Sequence, residues 1–339
     1  MATSPDPFVS PMRIFETLRA YEQTAALRAA IELDIFTAIG AGATTAAEIA
    51  AKCGISEQGV RGVRILCDSI VTDGLLAKND GHYTCAPDAA AFLDRRSPTC
   101  IASVSEFLCS ADNVNGSLSL ADCVRKGGTV QPGQGSVEPD NPFWVLFARA
   151  MAPMMAMPAH MIAEQVAGTG PLKVLDIAAG HGVFGIAIAQ KNTQAEITAV
   201  DWASVLEVAK ENAARAGISK RYHTLPGSAF DVDFGSDYDL VLLANFLHHF
   251  DTQTNEHFLR KVYAALKPGG KAVTLEFCPN DDRVTPLSAA RFAITMLQTT
   301  AHGDAYTFRE LDSMFRNAGF PASERQMLPS EQSVIVSVK

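Results

Sequence analysis

Two parts of the chain set chemistry-bearing residues at informative spacing. Asp176-Ile177-Ala178-Ala179-Gly180-His181-Gly182 follows directly on an apolar run. Small residues at that point let the backbone turn sharply into a helix and pass close to a bound ligand. Asp201 stands 25 residues after Asp176, at the end of the next apolar run. A carboxylate there can accept two hydrogen bonds from ribose hydroxyls, as in nucleotide sites generally. The glycine pattern alone is shared with dinucleotide sites, and Asp201 could instead cap a helix opening at Ala203. The order strand, glycine turn, helix, strand, acid favours an adenosyl ligand.

Those residues need a frame. KVLDIA is a short apolar strand, followed by the glycine turn and a helix. EITAVD is a strand, and SVLEVAKENAARAG a helix ended by Gly217. YDLVLLANF is a strand, NEHFLRKVYAALKPGG a helix stopped by Pro268 and Gly269, and KAVTLEF another strand. FRELDSMFRNAGF and SVIVSVK close the series. Strands alternating with helices of about a dozen residues predict an α/β fold with a doubly wound parallel sheet covered on both faces. Ligands of such sheets bind at the carboxyl ends of the strands, where strand order reverses.

The first hundred residues have another texture. From about residue 11 to 40 the chain reads as helix, with Ile14, Leu18, Tyr21 and Ala25 on one apolar face. That is more apolar surface than one small domain buries, which suggests a shared dimer interface. TTAAEIAAKCGIS is a helix with a threonine start. SEQGVRGVRILCDSIVTDGLL is a second helix, opened by Ser56 with an acidic partner close behind. LLAKNDGHYTCA reads as a two-stranded wing turning at Asn79-Asp80-Gly81. A helix–turn–helix with a wing raises DNA reading, but residues 41–95 hold five basic and seven acidic side chains. Phosphate contacts need clustered Lys and Arg, so dimerisation or packing is the better reading. Residues 112–141 read as loops. PFWVLFARAMAPMMAMPAHMIAEQV returns to helix, with breaks or kinks expected at Pro153 and Pro158.

Length and composition narrow the function classes. At 339 residues the chain suggests two domains. Apolar residues make up 47% and charged residues 19%, enough for a real core. The net charge of −9 argues against a nucleic-acid partner. The uncharged stretch 150–163 reads as too short and proline-broken to span a bilayer, and no membrane partner is expected. The start MATSPDPFVS lacks a basic segment before an apolar run, so no secretion signal is read. Seven scattered cysteines, none at CxxC spacing, point to reduced thiols in the cytoplasm.

VLDIAAGHGVFGIAIA, then AVD, then LVLLANFLHHF, then ALKPGGKAVTLEF resembles the class I S-adenosylmethionine methyltransferases. More narrowly, the chain is similar to the plant caffeic acid and chalcone O-methyltransferases and their bacterial relatives, over nearly its whole length. The resemblance implies a Rossmann-like catalytic domain behind an N-terminal winged-helix dimerisation domain. It places dimerisation in residues 1–100, helices connecting to and roofing the site in 101–165, and the S-adenosylmethionine-binding domain in 166–339. It implies S-adenosyl-L-methionine as cofactor, a small aromatic acceptor, methylation of a hydroxyl oxygen, and a homodimer.

The family's general base is a His after the fourth strand, which here is His248 in Leu247-His248-His249-Phe250. A carboxylate 28 residues on steadies it, which here is Glu276. A neutral imidazole with a pKa of about 6.5 can take a proton from a phenol, and a carboxylate can fix its tautomer. His249 is expected to point elsewhere, because adjacent residues at a strand end face opposite ways. The resemblance assigns the cofactor to Asp176, Ala178, Gly180, Gly182, Asp201, Trp202, Ser228, Ala229, Phe230 and Asn245. It gives Met151 and Met296 as the two thioethers that hold the acceptor ring. Phe147, Met155, Phe246 and Phe292 are further candidates to line that pocket, and helix and strand packing explains the three phenylalanines equally well.

The chain also departs from the family. Family glycines before Gly180 are Ala178 and Ala179. The acid that contacts adenine is replaced by Ser228 in Gly227-Ser228-Ala229-Phe230, and the plant lysine near the cofactor falls at Ala244. A further family acid falls near Ala305, one residue from Asp304. No metal-ligand cluster is read; Asp281-Asp282 is taken as a solvated loop pair, so base-driven chemistry without a metal is expected. Two rivals remain: a carbon- or nitrogen-directed or non-methylating enzyme on the same scaffold, and a winged-helix regulator.

Overall fold

A computed structural model of the chain describes residues 10–330 and 332–339. The start MATSPDPFV, on which the reading of no secretion signal rests, lies outside the described residues. The described residues divide into two compact units, with the boundary between Ser105 and Glu106.

The first unit opens with α1 (Met12–Leu18), α2 (Ala20–Glu32) and α3 (Ile35–Gly40), so the expected single helix is three. The α2–α3 break falls at Asp34, whose φ of 57° leaves the helical region. Ile14, Leu18 and Tyr21 are more than 60% exposed, so the expected apolar face is real but unburied. Thr45 caps α4 (Ala46–Lys52) in a capping box with Glu48. The next helix does not open at Ser56. A 3₁₀ turn, Glu57–Gly59, precedes α5 (Val60–Thr72), and the Ser56 hydroxyl makes no cap. The wing is present as β1 (Leu76–Asn79) paired antiparallel with β2 (His82–Cys85). With α6 (Pro87–Phe92), these elements close a core around Phe36, Ile49, Cys67, Ile70 and Tyr83.

After α7 (Val104–Leu108), the stretch expected to be loops contains α8 (Ala111–Leu118) and α9 (Leu120–Lys126). Ser110 caps α8 by accepting the N–H of Asn113, a local signal that outweighs its Gly, Ser and Asp content. Then comes α10 (Phe143–Val166), one continuous helix with Pro153 and Pro158 inside it. By length and apolarity alone it could cross a membrane. Instead it packs along α11 (Val183–Lys191) and α12 (Ala203–Arg215), burying Met151, Met155, Ala159 and Ile162, and that packing offsets the backbone bonds the prolines cannot make.

The second unit is built on β3 (Leu172–Ile177), β4 (Ala195–Asp201), β5 (Tyr222–Pro226), β6 (Tyr238–Ala244), β7 (Leu266–Glu276), β8 (Ser323–Met327) and β9 (Ser333–Val338). Their order is β5-β4-β3-β6-β7-β9-β8. β5 to β7 run parallel, as expected. The final pair does not: β9 lies antiparallel to β7, and β8 antiparallel to β9, so the sheet is mixed. Strand order reverses at β3, between β4 and β6, which opens the ligand crevice at the ends of these three strands. Three helices complete the unit: α13 (Thr252–Ala265), α14 (Leu287–Thr299) and α15 (Phe308–Asn317).

Candidate active site

The glycine turn sits at the end of β3, in the crevice. Ala178, Gly180 and Gly182 all have positive φ, at 51°, 55° and 74°. At Gly180 a built Cβ meets only the Ala178 carbonyl, at 3.8 Å, and otherwise open space. The turn therefore leaves room at its crest for a ligand to approach the backbone. Asp201, at the end of β4, accepts the Gly180 N–H through Oδ2 (2.8 Å) and the Trp202 N–H through Oδ1 (2.7 Å). Each carboxylate oxygen keeps a further lone pair, which suits the two donors of a ribose diol. Burial pushes the Asp201 carboxyl up to about 6.

Asp176 plays another part. Its side chain is buried, its Oδ2 accepts the Gly185 N–H at 3.1 Å, and burial pushes it up to about 7. It anchors the first turn of α11 from behind the glycine turn and is not open to a ligand. His181 is neutral for the same reason, held down to about 4 by burial, and its ring lies nearly parallel to Phe147.

The Gly227–Val232 loop follows β5 and is tied to Asp201 by the Gly227 N–H on the Asp201 carbonyl, 2.9 Å. The Ser228 hydroxyl accepts the Phe230 N–H at 3.2 Å. Lys261 on α13 donates to the carbonyls of Ala229, Phe230 and Val232 at 3.0, 2.9 and 2.7 Å. Burial lowers the Lys261 ammonium from its usual value. Trp202 precedes α12 and packs half-buried against Ala148, Val205 and Val208. Asn245, in left-handed backbone at φ 55°, donates to the Met155 sulfur and accepts from Gln332.

A 3₁₀ turn, Leu247–His249, follows β6 and carries both histidines. His248 Nδ1 lies 2.5 Å from Glu276 Oε2, at the end of β7, while Glu276 Oε1 accepts the Leu247 N–H at 2.9 Å. With both oxygens accepting, Nδ1 carries the proton and Nε2 a bare lone pair. The turn is held from outside. Asn255 donates to the Leu247 carbonyl (2.8 Å), Asp304 N–H to that of His248 (3.0 Å), and the Tyr306 hydroxyl to that of Phe250 (2.5 Å). The Asp304 carboxylate itself turns to Arg283.

The expected divergence of His248 and His249 is overturned. Their rings lie 4.2 Å apart and tilted 39°, because a tight turn, unlike a strand, does not send neighbours to opposite faces. His249 Nδ1 bonds the Phe246 carbonyl at 3.1 Å.

The six residues assigned to the acceptor separate. Phe292 stands edge-on to His248 at 4.8 Å, and Met296 is buried one turn further along α14. Phe147, Met151 and Met155 lie along α10 at four-residue spacing, one face of the helix. Phe246 is a correction: its ring turns into the core against Phe230, Phe250 and Phe258. Phe230 goes with it. Trp144 was missed by sequence reading; its ring meets His249 at 5.2 Å, and its N–H is fixed on the Ser136 carbonyl. Lys261 and Asn255 were also missed. Asn255 had a signal: a polar residue on the same stripe as Phe258, Leu259 and Val262 must bond something. Asp281 pairs with Arg309, and Asp282 caps the turn at Val284 and Thr285.

Comparison with known proteins matches this geometry to a family. The O-methyltransferase domain model matches residues 120–321, and the O-methyltransferase dimerisation domain model matches residues 15–95. A 3-hydroxy-5-methyl-1-naphthoate 3-O-methyltransferase of Streptomyces sahachiroi is 28% identical, over 99% of this chain and 97% of its own. An L-tyrosine C(3)-methyltransferase of Streptomyces lavendulae is 25% identical, over 87% and 82%. The crystal structure of a candidate O-methyltransferase from Nostoc punctiforme is similar at a TM-score of 0.94 and 52% identity, covering 98% of this chain and 100% of its own.

Proposed function

Because the chain belongs to the O-methyltransferase family and is an S-adenosylmethionine-dependent enzyme, we propose that it methylates a hydroxyl of a small aromatic metabolite, with His248 as general base. The observation that carries this is the buried His248–Glu276 contact, 2.5 Å, which leaves the His248 Nε2 lone pair without a protein partner among the described residues.

S-adenosylmethionine, when bound, supplies an electrophilic methyl group. The turn from Ala178 to Gly182, Asp201, Trp202, the Ser228–Phe230 loop and Asn245 would hold it, and the open space before Gly180 fits such a group. His248 Nε2 takes the acceptor hydroxyl's proton as the oxygen becomes bonded to carbon. Glu276 holds Nδ1–H and stabilises the imidazolium that forms. Such a base is worth roughly 10²–10⁴ in rate. Phe147, Met151, Met155, Phe292 and Met296 offer apolar and thioether surface for a flat ring. Holding the two reactants in contact supplies roughly 7–11 kcal/mol of the barrier, the larger share.

The protein works as a homodimer in this reading. The dimerisation-domain match and the exposed Ile14, Phe15, Leu18 and Tyr21 support that state. The seven free cysteines support a reducing, cytoplasmic setting.

A panel of phenols and naphthols with radiolabelled cofactor tests the proposal. Label should reach an acceptor oxygen with the native protein. His248→Ala should lose at least 10²-fold in kcat while still binding the demethylated cofactor product. Undiminished turnover in that variant would sink it. One relative favours a second reading, since the L-tyrosine C(3)-methyltransferase is named for methylation at carbon. A phenol deprotonated by the same base becomes nucleophilic at the neighbouring ring carbon, so the product's methyl position decides between them.

A further inference from the structure

His248 is not the only imidazole with a free nitrogen at this turn. His249 Nδ1 is bonded to the Phe246 carbonyl, 3.1 Å away. A carbonyl can only accept, so Nδ1 carries the hydrogen and His249 Nε2 is left as a bare acceptor. Burial and the neighbouring His248 hold His249 well below its usual pKa, so it stays neutral. Among the described residues nothing bonds either Nε2. The two rings, 4.2 Å apart, stand between the Trp144 indole at 5.2 Å from His249 and the Phe292 ring at 4.8 Å from His248.

Two adjacent acceptors with locked tautomers make a one-sided site. Any group placed there that has only lone pairs to offer meets two more. A carbonyl, carboxylate or ether oxygen beside the reactive hydroxyl leaves His249 Nε2 unpaired in a desolvated place, which weakens binding. An O–H or N–H there satisfies it.

We propose that His249 is a specificity-determining residue, which admits acceptors carrying a second hydrogen-bond donor beside the methylated hydroxyl and discriminates against those carrying only an acceptor atom there. The proposal rests on the reading that the acceptor lies against His248. The histidine next to the base thus reads the substituent next to the reacting oxygen. Trp144 meets its ring from the side, and the Phe246 carbonyl fixes which nitrogen carries the hydrogen.

Calorimetric binding to the full-length protein, with the demethylated cofactor product present, tests this without depending on turnover. The probes are naphthalene-2,3-diol, 3-methoxy-2-naphthol, and 2-naphthol as a single-donor control. The native protein should bind the diol at least tenfold more tightly than the methoxy compound, with 2-naphthol between. His249→Phe keeps a flat ring without the acceptor nitrogen, and it should bring the three affinities within about threefold. Equal affinities in the native protein, no detectable binding of the diol, or a preference that survives in His249→Phe would overturn the assignment. The native comparison stands alone should that variant fail to fold. A preference in the native protein that His249→Phe abolishes, without methyl transfer to the diol, would sink the proposed reaction and leave the role of His249 intact.

Discussion

Gly303 lies so close to His248 that a Cβ built on it would come within 2.3 Å of the histidine's carbonyl oxygen. The same carbonyl accepts the Asp304 N–H, so the segment after α14 is laid directly onto the backbone of the 3₁₀ turn. The turn sits where it does because residue 303 has no side chain. Gly303→Ala must push the turn away or break that hydrogen bond, and a displacement of about 1 Å at a reacting group can cost 10²-fold. We expect kcat to fall 10- to 100-fold, with the affinity for the demethylated cofactor product within twofold of native. Steady-state kinetics beside calorimetry checks this, and an equal loss in both would place the damage elsewhere.

Glu276 accepts from His248 Nδ1 and from the Leu247 N–H at once. Glu276→Gln keeps the shape but offers an amide in place of one oxygen. Either the Leu247 N–H or His248 Nδ1–H then faces a donor, and the cheaper escape is for His248 to move its proton to Nε2. The base would be protonated at the wrong nitrogen. We expect kcat to fall about 10²–10⁴-fold, with the tautomer change visible in ¹⁵N NMR of labelled histidine. A variant within threefold of native kcat would remove Glu276 from the mechanism.

Much of this architecture is legible in the residues because it is local. Each strand, glycine turn and helix around Asp176, Gly180 and Asp201 is a contiguous segment, whereas the pairing of His248 with Glu276, 28 residues on, comes from the family resemblance. What escaped reading depends on partners distant in sequence. β8, SERQM, has no apolar alternation and is a strand only through its pairing with β9. α10 stays one helix through two prolines because α11 and α12 support it. Phe246 turns inward and His249 comes beside His248 because the chain after β6 coils into a 3₁₀ turn, where strand alternation no longer applies. Gly303 and Lys261 carry no local signal, since each acts on a backbone carbonyl more than 30 positions away or on a loop from another element.

Lys261 satisfies three carbonyls of the loop that carries Ser228, Ala229 and Phe230. Lys261→Met retains the stem and removes all three donors. The loop should loosen where it borders the proposed adenine site. The expected result is a rise of about tenfold in the cofactor's KM, with kcat at saturating cofactor within threefold and a lower Tm. A fall in kcat alone, with KM unchanged, would mean that the loop does not hold the cofactor.

Asp201 and Asp176 should give the protein opposite pH responses with and without ligand. Both are raised by burial, to about 6 and about 7, from an ordinary 3.8. A carboxyl raised in the folded state binds more protons there than when unfolded, so stability falls as pH rises between the two values. The ligand-free protein should therefore lose stability from pH 5 to 7. Asp176→Asn, which can still accept the Gly185 N–H, should flatten that loss and raise Tm at pH 8 by several degrees, with a smaller gain at pH 5. Cofactor affinity should run the other way, because only the ionised Asp201 accepts both ribose donors: Kd should rise as pH falls below about 6, and Asp201→Asn should bind weakly at every pH. Thermal melts and calorimetry from pH 5 to 8 read both trends. A native Kd flat across that range would mean that the carboxylate of Asp201 is not what holds the ribose.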